Sequence, residues 1–121
     1  MMRAISAMAL CAAPLLLAAA VEGNAQKAVA DAQAQVERGR MIYASRCAAC
    51  HGGDMTGIDD APMLVGARFD KTWRGRPGEL FSKIKLSMPQ DDPGSLSPEQ
   101  AADVVSAILD ANHLRDRTAS R

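Results

Sequence analysis

The stretch "SRCAACHGGD", residues 45–54, decides the reading of this chain. It sets Cys47 and Cys50 three apart and puts His51 directly behind the second cysteine. Four chemistries use such a run: a haem attachment site, half of a zinc site, a redox dithiol, or a plain disulfide. The rest of the sequence chooses between them.

A structural zinc site needs four ligands. Outside the first 25 residues the chain offers Cys47, Cys50, His51 and His113, and the adjacent Cys50–His51 pair strains tetrahedral geometry. A thioredoxin-like dithiol belongs in a βαβ context, for which no strand pattern exists here. A Cys47–Cys50 disulfide closes too small a loop to stabilise much. In Cys-x-x-Cys-His the two thiols add across the two vinyl groups of one porphyrin, and the next residue sets an imidazole under the iron. The thioethers fix the ring to the backbone, so the histidine must reach the metal from the same turn. Haem is the favoured reading.

At 121 residues the chain makes one small domain. Basic and acidic residues number 14 each, so a bulk electrostatic case for nucleic acid is missing. The four aromatics are Tyr43, Phe69, Trp73 and Phe81. A domain of this size buries a modest fraction of its surface unaided. So thin an aromatic content is compatible with a cofactor in the core.

The N-terminus reads as an export signal over 1–25. Arg3 is the only charge before Glu22, residues 4–21 are apolar, and small residues follow at Ala18-Ala19-Ala20 and Gly23-Asn24-Ala25. Cleavage is expected after Ala25, with Ala20 as second choice. A retained anchor is the rival, but the run is short for a bilayer and holds Pro14. Cys11 leaves with the signal. The remainder is expected in the periplasm, where free thiols oxidise unless something keeps or uses them.

Residues 26–35 read as a linker or a frayed helix start. Val36, Arg40, Tyr43 and Cys47 fall at helical spacing, which predicts a first helix over about 31–47. Gly39 inside it costs about 1 kcal/mol against alanine, which suggests close approach of another backbone unless the site is merely exposed. Residues 52–73 are punctuated by Gly52, Gly53, Gly57, Pro62 and Gly66 and read as loop. A second helix over 78–87 puts Leu80, Phe81 and Ile84 on one face, and Pro89 should end it by holding Met88 extended. The last helix is the best signalled. Ser97 is an N-cap, Pro98 takes the first helical position and Gln100 completes a capping box. Ala101, Val104, Val105, Ile108 and Ala111 make its apolar stripe, and Asn112 can cap its end. Three helices and long loops make an all-α domain over 36–114, with 115–121 as a tail.

The sixth iron position has several candidates: Met41, Met55, Met63, Met88 and His113. Met41 is expected as core filling. Met88 is favoured, because Pro89 and the "DDPGS" turn fix its direction.

The runs "GRMIYASRCAACHGGD", "APMLVG" and "MPQDDPGSLSPEQAADVVSAIL" resemble the class I c-type cytochromes. The likeness is to the small bacterial monohaem proteins that serve exported dehydrogenases, quinoprotein alcohol dehydrogenases among them, and it covers about 36–112. It implies a cytochrome c-like helical fold around one covalent haem c, with His51 proximal and Met88 distal. Pro62 resembles the family proline whose carbonyl receives the proximal imidazole N–H. Trp73 sits where such proteins often hold a propionate; a plain core or surface tryptophan is the equal alternative. One departure stands out: Ala101 and Ala107 occupy the last helix where the family often has an aromatic packed on Gly39 and Tyr43. A looser helix crossing is one expectation, and Tyr43 filling the gap alone is the other.

With both axial positions filled, such an iron has no site for substrate, and a thioether ligand raises its potential. The resemblance therefore implies a one-electron carrier of a respiratory chain, not an enzyme. Its partners would be redox proteins: a dehydrogenase donor and an oxidase or another cytochrome as acceptor. A monomer with no stable membrane insertion after cleavage is expected. A bound haem subunit of a dehydrogenase complex and a gas-binding sensor stay as alternatives. Arg68, Lys71, Arg74, Arg76, Lys83 and Lys85 face only Asp70 and Glu79 within 68–85, a patch that could steer an acidic partner or be a solvated surface.

Overall fold

The computed structural model describes residues 13–115, and side chains from residue 20 onward. Residues 1–12 of the expected signal and 116–121 of the expected tail lie outside the described residues. Among the described residues five helices follow one another: α1 (Ala13–Arg46), α2 (Ala48–His51), α3 (Ala67–Trp73), α4 (Pro77–Ser87) and α5 (Pro98–Ala111). Among the described residues there is no strand. The fold is all-α, as expected.

The chain divides into two units, Met1–Ala32 and Gln33–Arg121. In the first, the described residues form the exposed N-terminal part of α1, with Lys27 paired to Asp31 at 2.6 Å one turn on. Residues 26–35, expected as linker or frayed start, are helical. Alanine is the best helix former, so a run with little to bury still coils. Among the described residues no helix is long and apolar enough to cross a membrane.

The second unit holds the core. Ser97 caps α5 as its sequence predicts: Gln100 N donates to Ser97 Oγ at 3.1 Å and Ser97 N donates to Gln100 Oε1 at 2.9 Å. Ala101, Val104, Val105 and Ile108 are buried, and Ala107 and Leu109 join them. Ala111, expected in the stripe, is exposed; the helix ends there and its last turn leaves the core. Asp103 is buried within the stripe, and Arg38 of α1 satisfies it with two hydrogen bonds of 3.0 and 3.2 Å. Beside this pair α1 and α5 touch backbone to backbone. A Cβ on Gly39 would lie 2.6 Å from the Asp103 carbonyl carbon and 2.9 Å from Ala107 Cβ. The crossing is therefore close, not loose: glycine on one helix and alanine on the other replace an aromatic seam.

α4 buries Leu80 and Ile84 against α5 and stops where Met88 turns extended, at φ −121° and ψ 150°. Proline at 89 imposes that geometry on its predecessor. α3 corrects the loop reading of 52–73. Phe69 and Trp73 stand one turn apart on its inner side, and Arg74 pairs with Asp70 on the other. Seven residues, about two turns of helix, are too short for periodicity to announce.

Candidate functional site

The Cys47–His51 run sits where α1 ends. Cys47 N still donates to Tyr43 O at 2.9 Å, and His51 N donates to Cys47 O at 3.0 Å, so the five residues form a single helical turn. In such a turn residues three and four apart share a face, which groups Cys47 with Cys50 and His51. Gly52 closes the turn at φ 82°, a left-handed value that glycine adopts without strain. Its carbonyl accepts the Tyr43 hydroxyl at 2.6 Å. Burial, then the neighbouring Cys47 and Asp54, push the Tyr43 phenol up to about 12, so it remains a donor at neutral pH. Behind the turn, Gly57 N donates to His51 O at 2.7 Å and Ile58 N to Cys50 O at 3.1 Å.

His51 is buried, and its Nδ1 lies 2.9 Å from the Pro62 carbonyl oxygen. A carbonyl only accepts, so Nδ1 carries the proton and donates. In the neutral imidazole the other nitrogen, Nε2, then keeps its lone pair, which is the form that binds a metal. Cys47 is half-buried, Cys50 is exposed, and neither is in a disulfide. Burial pushes the Cys47 thiol up; Arg46 opposes this and Cys50 adds to it.

The other singled-out residues stand on separate elements. Met88 is half-buried at the end of α4, its N–H donating to Ile84 O at 3.1 Å. The loop behind it is tied down: Lys85 Nζ donates to Gly94 O at 3.1 Å, and Arg46, the residue before Cys47, donates to Ser95 Oγ at 2.7 Å. Trp73 is half-buried on α3, 6.4 Å from the Phe69 ring centroid, with the Arg76 guanidinium 5.8 Å from its own. Met55 is buried in the core and Met63 is exposed, as is His113. Met41, expected as core filling, is 60% exposed because it falls on the outer face of α1.

These residues fit haem c. Two free thiols lie on one turn with a histidine whose ligand-competent nitrogen is set by a carbonyl on the other. Leu64, Val65, Trp73 and Phe81 pack on the core yet stay only partly buried, which leaves apolar surface for a flat apolar body. Among the described residues no three His, Cys, Asp or Glu side chains are grouped to hold a bare metal ion.

Comparison with known proteins agrees. The family described as cytochrome C oxidase, cbb3-type, subunit III matches residues 34–106. The chain belongs to this family of c-type cytochromes. Among curated proteins the cytochrome is similar to a thiosulfate dehydrogenase of Allochromatium vinosum, 39% identical over 79 residues. That match takes in 59% of this chain and 29% of the relative. Among solved structures it resembles the sulfane dehydrogenase SoxCD of Paracoccus pantotrophus, with a TM-score of 0.58 at 26% identity. That match covers 65% of this chain and 44% of the other. The cytochrome thus spans less than half of either relative. It is a small c-type cytochrome, an electron-transfer haem protein.

Three contributors escaped the sequence. Asn112, expected only as a cap, also bonds the loop that carries Pro62: Nδ2 donates to Leu64 O at 2.8 Å and Oδ1 accepts from Gly66 N at 3.0 Å. The Tyr43 hydroxyl bond to Gly52 had no sequence signal beyond a tyrosine at helical spacing. Arg38–Asp103 was marked only by an acid interrupting an apolar stripe.

Proposed function

We propose that the cytochrome is a periplasmic one-electron carrier holding one haem c, attached covalently through Cys47 and Cys50, with His51 proximal and Met88 distal. The observation that carries this reading is the His51–Pro62 hydrogen bond, which leaves Nε2 as the free donor one turn from two unbridged thiols. When bound, the haem supplies the one-electron couple. The chain's part is to hold it. Cys47 and Cys50 fix the ring to the turn, Pro62 orients the His51 imidazole and raises its basicity, and the tied loop presents Met88. Trp73, half-buried on α3, holds a propionate. With His51 and Met88 both holding the iron, no site would be left for a substrate, so the chain would act as a carrier and not as an enzyme.

Residues 1–25 act as the export signal, which brings the thiols to a compartment where c-haem is attached. The donor is an exported dehydrogenase, in keeping with the two relatives, and the acceptor is an oxidase or a further cytochrome of the respiratory chain. Arg74 pairs with Asp70 and Arg76 with Glu79, which leaves Arg68, Lys71 and Lys83 as the charges that steer an acidic partner. A second reading has one observation in its favour: both relatives are much longer dehydrogenase proteins. On that reading the cytochrome is a resident subunit, and it would co-purify with a large partner.

The test is a set of visible spectra of the exported protein: oxidised, reduced, and reduced under carbon monoxide. A low-spin spectrum indifferent to the gas is expected. A spectrum shifted by the gas would replace the carrier with a sensor, and Met88→Ala should produce that shift.

A further inference from the structure

We propose that Asn112, at the end of α5, is a positioning residue for the proximal histidine; this rests on the haem reading above. An asparagine that merely capped α5 would need one hydrogen bond, and Nδ2 makes it to Ile108 O at 2.9 Å. The remaining amide hydrogen and the oxygen are spent elsewhere. They bond Leu64 O at 2.8 Å and Gly66 N at 3.0 Å, 48 and 46 residues back along the chain. The primary amide thus uses both hydrogens and its oxygen at once, a set that alanine cannot make and a carboxylate can make only in part.

The bonded loop is the one that carries Pro62. Leu64 N donates to Met55 O at 2.8 Å, so with Asn112 on its carbonyl both backbone groups of Leu64 are held. Two residues upstream, the Pro62 carbonyl accepts from His51 Nδ1 at 2.9 Å. Proline has no N–H of its own to anchor it. The placement of that carbonyl is therefore set from both sides of Leu64: by the segment at Met55 and by the Asn112 amide. Removing the amide frees Leu64 O and Gly66 N and lets the Pro62 carbonyl drift from the imidazole.

The consequence is electronic as well as mechanical. A firm Nδ1–H···O bond makes the imidazole a stronger donor through Nε2, which favours the oxidised iron. A slackened bond favours the reduced iron. In Asn112→Ala the one-electron equilibrium against a fixed redox dye should move toward reduction by about three- to tenfold, tenfold being 59 mV. The exchange of the His51 Nδ1 proton and the Gly66 amide proton with solvent should speed up at least tenfold.

Ser97→Ala is the control. It removes the cap at the other end of α5, lowers stability, and touches neither the Pro62 loop nor the histidine. It should leave the dye equilibrium and both exchange rates unchanged. Equal shifts in the two variants would reduce Asn112 to a helix cap, and no shift in Asn112→Ala would overturn the proposal outright. Should Asn112→Ala fail to fold, Asn112→Ser keeps an oxygen for Gly66 N–H and should show an intermediate shift; an unchanged equilibrium there also overturns it. If the wild-type chain carries no haem, the haem reading fails. Proton exchange measured on that full chain then still decides whether Asn112 holds the loop.

Discussion

Gly39→Ala puts the close crossing of α1 and α5 to the test, because two effects of opposite sign compete at this site. In a helix interior alanine is favoured over glycine by about 1 kcal/mol. An exposed Gly39 would therefore be improved by the change. In the structure the new Cβ would sit 2.6 Å from the Asp103 carbonyl carbon and 2.9 Å from Ala107 Cβ, with the Asp103 oxygen closer still. Relaxed carbon contacts lie at about 3.5–4.0 Å, so the helices must part by roughly 1 Å. The obstruction is backbone, which no rotamer change can relieve. Parting also opens the core that Tyr43 shares with Val104 and Ile108 and pulls Asp103 from Arg38. Overpacking of this kind costs about 1–3 kcal/mol, here toward the upper end. After the propensity gain the net loss is about 2 kcal/mol. Urea unfolding of the haem-loaded protein should show a lower midpoint with an unchanged slope. Heating should show a transition lower by about 8–16 °C. A midpoint equal to or above that of the wild type would refute the crossing.

Two further outcomes follow from the packing around the site. Tyr43→Phe removes the hydroxyl bond to Gly52 and should cost about 1 kcal/mol in the same urea experiment. It should also change the alkaline limb: with the folded phenol at about 12 against an ordinary value near 10, the phenol's contribution to stability is fully present below pH 10 and is lost as pH rises to 12. The phenylalanine variant should lack that part of the fall. Asp103→Asn removes the carboxylate charge and leaves the Arg38 guanidinium one acceptor in place of two, and should cost about 1–2 kcal/mol at pH 7. A double-mutant cycle with Arg38→Ala should return at least 0.5 kcal/mol of coupling, and a zero would mean that the pair is ornamental.

What could be read from the sequence was local, and what could not was tertiary. "CAACH" is legible because thioether spacing and the imidazole belong to one helical turn. The ends of α4 and α5 are legible because Pro89, Ser97, Pro98 and Gln100 act on their immediate neighbours. Gly39 announced a close approach and the resemblance named the last helix as its partner, but neither told a looser crossing from the close one found against Asp103 and Ala107. α3 was missed because seven residues carry too little period, and the upstream reach of α1 because an exposed alanine run has no stripe to read. Asn112 shows the limit best. At the sequence level it is a cap at the end of a helix; only folding brings Leu64 and Gly66 to its other two bonds.

Covalent attachment at "CAACH" is the centre of the account. The most direct measurement denatures the exported protein and weighs the polypeptide. The mass of one haem per chain should stay with the wild type and be absent from the Cys47→Ser/Cys50→Ser variant, whose turn still carries His51. A wild-type chain with no added haem mass, or haem that separates from it on unfolding, would contradict the account.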